Sequence, residues 1–202
     1  MVDVDPAMQA PKIEPAALAR LAQAAKDWVD EGAIWVDLPW TAPEFFVEST
    51  RPEWSQVQMP TQHGHLVASG EQSFLWLDDR KELPSGCLIG WTPCFREEPV
   101  FDKWHQFGFM KIEAYQVLQE GEHPASMLSA LVDRAAAHFE KWAGRHVHQK
   151  FFRDGTADIE LNGHEVGSYG IRKHPSIEGR SYLYGTVLAE PRFSTALSER
   201  LA

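Results

Sequence analysis

Hydrophobic positions change period several times along this chain, and each change marks an element. From Pro15 to Val29, Leu18, Leu21, Ala22, Ala25 and Val29 recur at helical spacing, and Pro15 suits the first turn. Glu31-Gly32 ends that helix, and Ala33 to Trp40 reads as a buried strand closing at Pro39. Pro and charged residues interrupt the pattern over 41–62, which is expected to be irregular, before a short strand at His65 to Ala68. An apolar segment follows from Cys87 to Phe95. Beyond it Phe107, Phe109, Lys111 and Glu113 alternate with Met110, Ile112 and Ala114, the signature of a strand with one apolar face and one chemically mixed face. A second helix spans Ala125 to Ala143, with Leu128, Leu131, Val132, Ala135, Phe139 and Trp142 on one stripe. Asn162-Gly163 between two alternating segments predicts a tight hairpin. A strand ending at Gly185 is expected to pass into a helix carrying Leu188, Arg192, Ala196 and Leu197.

Composition sets the scale. The 202 residues are 44% hydrophobic, with eight Trp and eleven Phe, enough for one substantial core. The expectation is a loose N-terminal arm over 1–14 and a single domain over 15–202. No run of about 18 apolar residues and no charged-then-apolar leader is present, so the chain reads as soluble, not exported, and without a membrane partner. Cys87 and Cys94 make neither a disulfide framework nor a thiolate metal site, and a reduced cytoplasmic setting is the default. With 19 Lys and Arg against 29 acids, a net charge of −10, nucleic acid is disfavoured as a partner.

A ring, a cation and an anion on one strand face, beside Arg96, are costly unless a ligand answers them, although a solvated charged face gives the same alternation. Phe95-Arg96-Glu97-Glu98, a turn, then the strand Phe107 to Tyr115 resembles motif 2 of the class II aminoacyl-tRNA synthetases, most of all the seryl enzymes. That resemblance implies that Arg96 grips the α-phosphate of ATP, that Phe109 stacks on adenine and that Glu98 lies by the adenine edge. The helix, Gly32, strand and Pro39 resemble motif 1, which implies a homodimer built through 15–40. Ser69-Gly70-Glu71 resembles the family's substrate loop, with Glu71 holding the α-ammonium of an amino acid beside Ser69. A turn in which Ser69 caps the next helix is the alternative reading.

Asp158 and Glu165 stand on the two arms of the hairpin, where two carboxylates could share Mg²⁺ through phosphate oxygens, or could simply be exposed acids. This stretch resembles the aspartyl and asparaginyl synthetases, and ammonia-using asparagine synthetase, in carrying Glu165, small residues, then Ile171-Arg172. By that resemblance Arg172 would pair with a substrate's side-chain carboxylate. Gly185-Thr-Val-Leu188-Ala189-Glu-Pro-Arg192 resembles motif 3, where Arg192 would hold the γ-phosphate. It departs from the motif at Val187 and Ala189, usually Gly, and at Pro191, commonly Glu. His63 with His65, and His146 with His148, alternate as a zinc pair would, but neither has an obvious third ligand, and surface or core histidines account for them.

Taken in order, these motifs imply an α/β (α+β) catalytic domain on a mixed, mainly antiparallel sheet flanked by helices. The expected chemistry is activation of a small amino acid by ATP and Mg²⁺. Lys111, Glu113, Ser168, Tyr169 and Arg172 would line the amino-acid pocket. Within 15–202 nothing remains for an anticodon-binding domain, and 97–106 leaves only a short motif 2 loop. The acceptor is therefore expected to be a carrier protein, an amine or ammonia rather than tRNA. A silent paralogue that binds nucleotide or amino acid and regulates a partner is the alternative.

Overall fold

The computed structural model describes residues 13–51, 59–96 and 100–199. The expected arm falls outside these residues at 1–12, as does Glu98. Helix α1 (Pro15–Asp30) leads to β1 (Ile34–Trp35), β2 (Thr41–Ala42), α2 (Glu44–Ser49), β3 (Pro60–Thr61), β4 (Gly64–Leu66) and α3 (Gly70–Asp79). The hairpin β5 (Leu88–Phe95) and β6 (Gly108–Val117) precedes the long α4 (Pro124–Ala143). Three antiparallel strands follow, β7 (His148–Phe151), β8 (Thr156–Leu161) and β9 (His164–Lys173), then β10 (Ser181–Glu190) and the short α5 (Arg192–Ser198).

Seven strands form one sheet in the order β1-β5-β6-β10-β9-β8-β7, antiparallel except where β1 runs parallel to β5. This is the mixed, mainly antiparallel sheet expected. Beneath one face lie α1, α4 and α5, whose Leu21, Trp28, Phe139 and Phe193 pack against Ile112, Ile159 and Leu183. Against part of the other face lie α2, α3 and a small sheet, β2-β4-β3, around Phe74, Tyr115 and Tyr182. Those three rings stack in series, with centroids 5.1 and 5.0 Å apart. Among the described residues no helix is long and apolar enough to cross a membrane.

Three expectations need correction. The strand read over Ala33 to Trp40 is reduced to Ile34–Trp35, and both side chains are exposed (39% and 37%), because β1 is the sheet's edge and the chain then leaves for the small sheet. The region 41–62 holds α2 and two strands of the small sheet. The last strand runs to Glu190, so Leu188 belongs to a strand and α5 starts only at Arg192. Central β10 is buried on both faces, and such a strand is a continuous apolar run with no alternation to mark its end.

Two β-bulges set which side chains meet. On β9, Glu165 pairs with Glu160 and Gly167 with Ile159, so Val166 is an extra residue. On β10, Thr186 pairs with Glu113 and Leu188 with Ile112, so Val187 is extra. Each bulge reverses the alternation downstream. Glu165 and Arg172, seven apart, would otherwise point to opposite faces. The hairpin turn is the one expected, with Asn162 and Gly163 both at positive φ, 54° and 81°.

Candidate functional site

The face of the large sheet left uncovered by α2 and α3 is hollowed into a cavity of about 420 Å³. Its wall carries five cations, Arg96, Lys103, Lys111, Arg172 and Arg192, against the carboxylates Glu71, Glu113 and Glu165. In a protein of net charge −10 this is a locally basic hollow, suited to an anion. Arg96 enters from the end of β5, where its Nε donates to Ala68 O at 3.0 Å. Its guanidinium lies over the Phe109 ring of β6, 5.1 Å from the centroid. Among the described residues it has no carboxylate partner, whereas the other four cations are paired.

Two buried acids anchor the inner end. Glu113 of β6 is 2% exposed and accepts from Ser69 Oγ at 2.6 Å, Lys111 Nζ at 2.6 Å and Glu71 N–H at 3.0 Å. Burial pushes its carboxyl up, but the Lys111 ammonium and these donors outweigh it, and the group stays below the usual glutamate range. Glu71, in the first turn of α3 and 4% exposed, takes Arg172 Nη1 on both oxygens (2.8 and 2.7 Å) and Tyr182 OH at 2.8 Å. Here burial wins: with Glu113 adding to it and Arg172 opposing, the Glu71 carboxyl is raised. Ser69 also accepts from Glu71 N–H at 3.4 Å as the N-cap of α3, so the helix-cap geometry and the contact to Glu113 coexist.

At the outer end, Arg192 starts α5 and donates to Glu165 Oε1 at 3.1 Å and to Trp104 O at 3.4 Å. Trp104 in turn stacks on His164, the first residue of β9, with centroids 4.0 Å apart. Asp158 lies opposite Ser168 on the cavity side of the sheet, although it does not form part of the cavity wall. Its carboxyl is raised by burial and by the Glu165 charge, so the two acids interact across the strands. Asp158, partly buried, and Glu165, exposed and paired with Arg192, offer carboxylate oxygens to a hard cation that completes its shell with ligand oxygens. Among the described residues no cluster of three or more His, Cys, Asp or Glu could hold a metal by itself.

The cavity therefore gathers Ser69, Glu71, Arg96 and Phe109 with Lys111 and Glu113, and joins to them Glu165, Ser168, Arg172 and Arg192. Tyr169 does not join them. It faces the helix layer, fully buried, with its OH donating to Thr186 O at 2.7 Å and its ring lying where a Cβ on Gly185 would come within 2.3 Å. Alternation with Ser168 puts it there. Arg172 lies over Tyr184, 4.3 Å from the centroid. Sequence reasoning passed over Tyr182, Tyr184 and Thr186, whose spacing of two on β10 was the available signal.

No protein-family profile and no curated protein sequence matches the chain. Solved structures do. The cytoplasmic serine-tRNA ligase of Naegleria fowleri in complex with AMP is similar at a TM-score of 0.65 and 16% identity, over 89% of this chain and 48% of its own. The seryl-tRNA synthetase of Pyrococcus horikoshii complexed with ATP gives 0.62 and 17%, over 89% and 49%. PylSc, a pyrrolysyl tRNA synthetase of Desulfitobacterium hafniense, gives 0.67 and 15%, over 90% and 67%. The chain thus spans about half the length of the two seryl enzymes, and at these identities the likeness is one of fold.

Proposed function

We propose that this chain, which has the fold of the class II synthetase catalytic domain, uses ATP to activate a small amino acid as its aminoacyl-adenylate. The observation that carries the reading is the convergence in one basic cavity of Arg96, Phe109 and Arg192 with the buried Glu71–Glu113 network. An oxygen of the amino-acid carboxylate attacks the α-phosphorus, and the bond from that phosphorus to the bridging oxygen breaks to release pyrophosphate. Arg96 opposes charge on the α-phosphate and Arg192 on the γ-phosphate, as preorganised partners. Phe109 carries the adenine, with Glu98 at its edge. Asp158 and Glu165 would hold Mg²⁺, which supplies Lewis-acid charge at phosphate oxygens. Glu71 receives the α-ammonium, whose positive charge draws its raised carboxyl back to the ionised form. Ser69, Lys111, Glu113 and Ser168 shape the rest of the pocket. Arg172 is the specificity residue, since Nη1 serves Glu71 and the remaining edge of the guanidinium is open to a polar or acidic side chain.

The acceptor in this reading is a carrier protein, an amine or ammonia; the acidic balance and the short connection between β5 and β6 both disfavour tRNA. In this reading the homodimer forms through α1 and β1, a choice supported by the exposed apolar side chains of Leu18, Val29, Ile34 and Trp35, and sedimentation measures it. Free Cys87 and Cys94 suit a reduced, cytoplasmic setting. A second reading, a silent paralogue that binds ligand and regulates a partner, is favoured by Ala189, which lines the cavity where motif 3 usually has Gly. ATP–pyrophosphate exchange across a panel of amino acids separates the two. Exchange with at least one small amino acid is expected. Nucleotide or amino-acid binding without exchange moves the protein to the second reading, and neither binding nor exchange removes both.

A further inference from the structure

Glu190 has no solvent exposure and stands two residues before Arg192. Its charge is met from the other end of the chain: Arg20 of α1 donates from Nε to Glu190 Oε1 at 2.8 Å and from Nη2 to Ser194 Oγ at 2.8 Å. The second carboxylate oxygen accepts the Ser194 N–H at 3.0 Å, in the first turn of α5. The same guanidinium lies over the Phe193 ring, 5.4 Å from its centroid. Arg20 thus touches residues 190, 193 and 194, on the side of α5 that faces α1, while Arg192 projects from the same turn into the cavity.

A buried ion pair is an expensive way to fix a strand end, because apolar side chains of similar volume do it at lower desolvation cost. What the pair adds is direction, since the planar fork holds two differently placed oxygens along fixed donor directions, whereas an ammonium is a freely rotating point charge. Direction matters here because Arg192 is weakly held on the cavity side, with contacts of 3.1 and 3.4 Å. The Val187 bulge is what turns Glu190 toward α1 and leaves Ala189 facing the cavity.

We propose that Arg20 is a positioning residue for Arg192. Through Glu190 and Ser194 it fixes the first turn of α5, so that the Arg192 guanidinium meets the outer phosphates of a nucleotide. This rests on the function proposed above. The test varies ATP and amino acid separately in pyrophosphate exchange, at a temperature where every variant is folded by thermal melt. Arg20→Met is expected to raise the KM for ATP roughly 10- to 10²-fold, the scale for a displaced binding group, and to leave the amino-acid KM within about twofold. Arg20→Lys should recover only part of the loss. In an Arg192→Ala background, Arg20→Met should add less than about twofold, because the group it positions is gone. The full factor in that background, an equal rise in the amino-acid KM, or complete rescue by Lys would overturn the proposal. Should Arg20→Met not fold, the pair Arg20→Met with Glu190→Leu removes both charges together, and a wild-type ATP KM in that variant would also overturn it. If the wild type catalyses no exchange, the adenylation reading fails by itself and the same variants are read by their Kd for ATP, with the same pattern expected. A wild type that binds no ATP removes both.

Discussion

The two faces of the seven-stranded sheet are built from the same strands and even from neighbouring residues, yet they hold opposite kinds of matter. Along β6, Ile112 and Ala114 enter the helix layer while Lys111 and Glu113 enter the cavity. Burial does not tell the faces apart, since Glu113 is hidden from water almost as fully as Ile112. The difference lies in what burial does. On the helix face it removes apolar area from water and stabilises the fold by about 25 cal/mol per Å². On the cavity face it desolvates Glu71, Glu113, Lys111 and Arg172, which then depend on one another. One face holds the protein together, and the other holds charges in a fixed arrangement at a cost in stability.

Substitutions should separate the faces cleanly. The largest expected effect is on the helix side: Phe139→Ala, near the C-terminal end of α4 and fully buried, should cost about 3–5 kcal/mol in denaturant unfolding while any protein still folded keeps its ligand affinity. The converse is Arg96→Ala, expected to lower adenylate formation by roughly 10²-fold, or about 2.7 kcal/mol, with little change in Tm. Wild-type-like exchange in folded Arg96→Ala protein would remove Arg96 from the phosphate grip.

Two buried acids sharpen the contrast through pH. Asp27, on the helix side, is pushed up by burial but held down by Lys141, Gln23 and Trp142, from 3.8 to about 2. Its folded pKa is depressed, so its contribution is present at neutral pH and is lost as pH falls through that interval. Asp27→Asn should therefore cost on the order of 1–2 kcal/mol at pH 7 and almost nothing near pH 2, by unfolding at both pH values. Glu71 has the opposite sign. Its folded pKa is raised, so the wild type loses stability as pH rises above the unfolded carboxyl range. The Tm of Glu71→Gln relative to wild type should rise with pH over the same titration, while amino-acid-dependent exchange disappears. The smallest expected signal is with tRNA: no submicromolar, salt-sensitive association at physiological ionic strength, by filter binding.

The helix face was the legible one. Helices α1 and α4 carry apolar stripes, and Pro15 punctuates the first of them, so the expected bounds lie within a residue of the observed Pro15–Asp30 and Pro124–Ala143. The Phe109, Lys111, Glu113 face of β6 and the Asn162-Gly163 turn were equally plain, being local patterns. What stayed hidden is non-local. The partner of Glu71 is 101 residues away and that of Glu190 is 170, and no periodicity announces either. The short edge strand β1 was overread because an apolar run looks the same whether a second layer covers it or not. Ser168 and Tyr169 look alike as candidate pocket residues by sequence, but as neighbours on one strand they face opposite ways, and only Ser168 reaches the cavity.

Val166 reconciles an odd separation along β9 with a shared face. Deleting that one residue would remove the bulge and leave Glu165–Glu160 and Gly167–Ile159 as a regular ladder, so Glu165 and Arg172, then six apart, would still share the cavity face, and the loss would be the side chain that fills the core beside Ile159, Leu161 and Val187. A conservative replacement of Val166 would leave both faces as they are. The bulge thus absorbs a one-residue difference in length without exchanging the faces, and a homologue that has gained or lost one residue between Asp158 and Arg172 would have to be aligned by face, not by count.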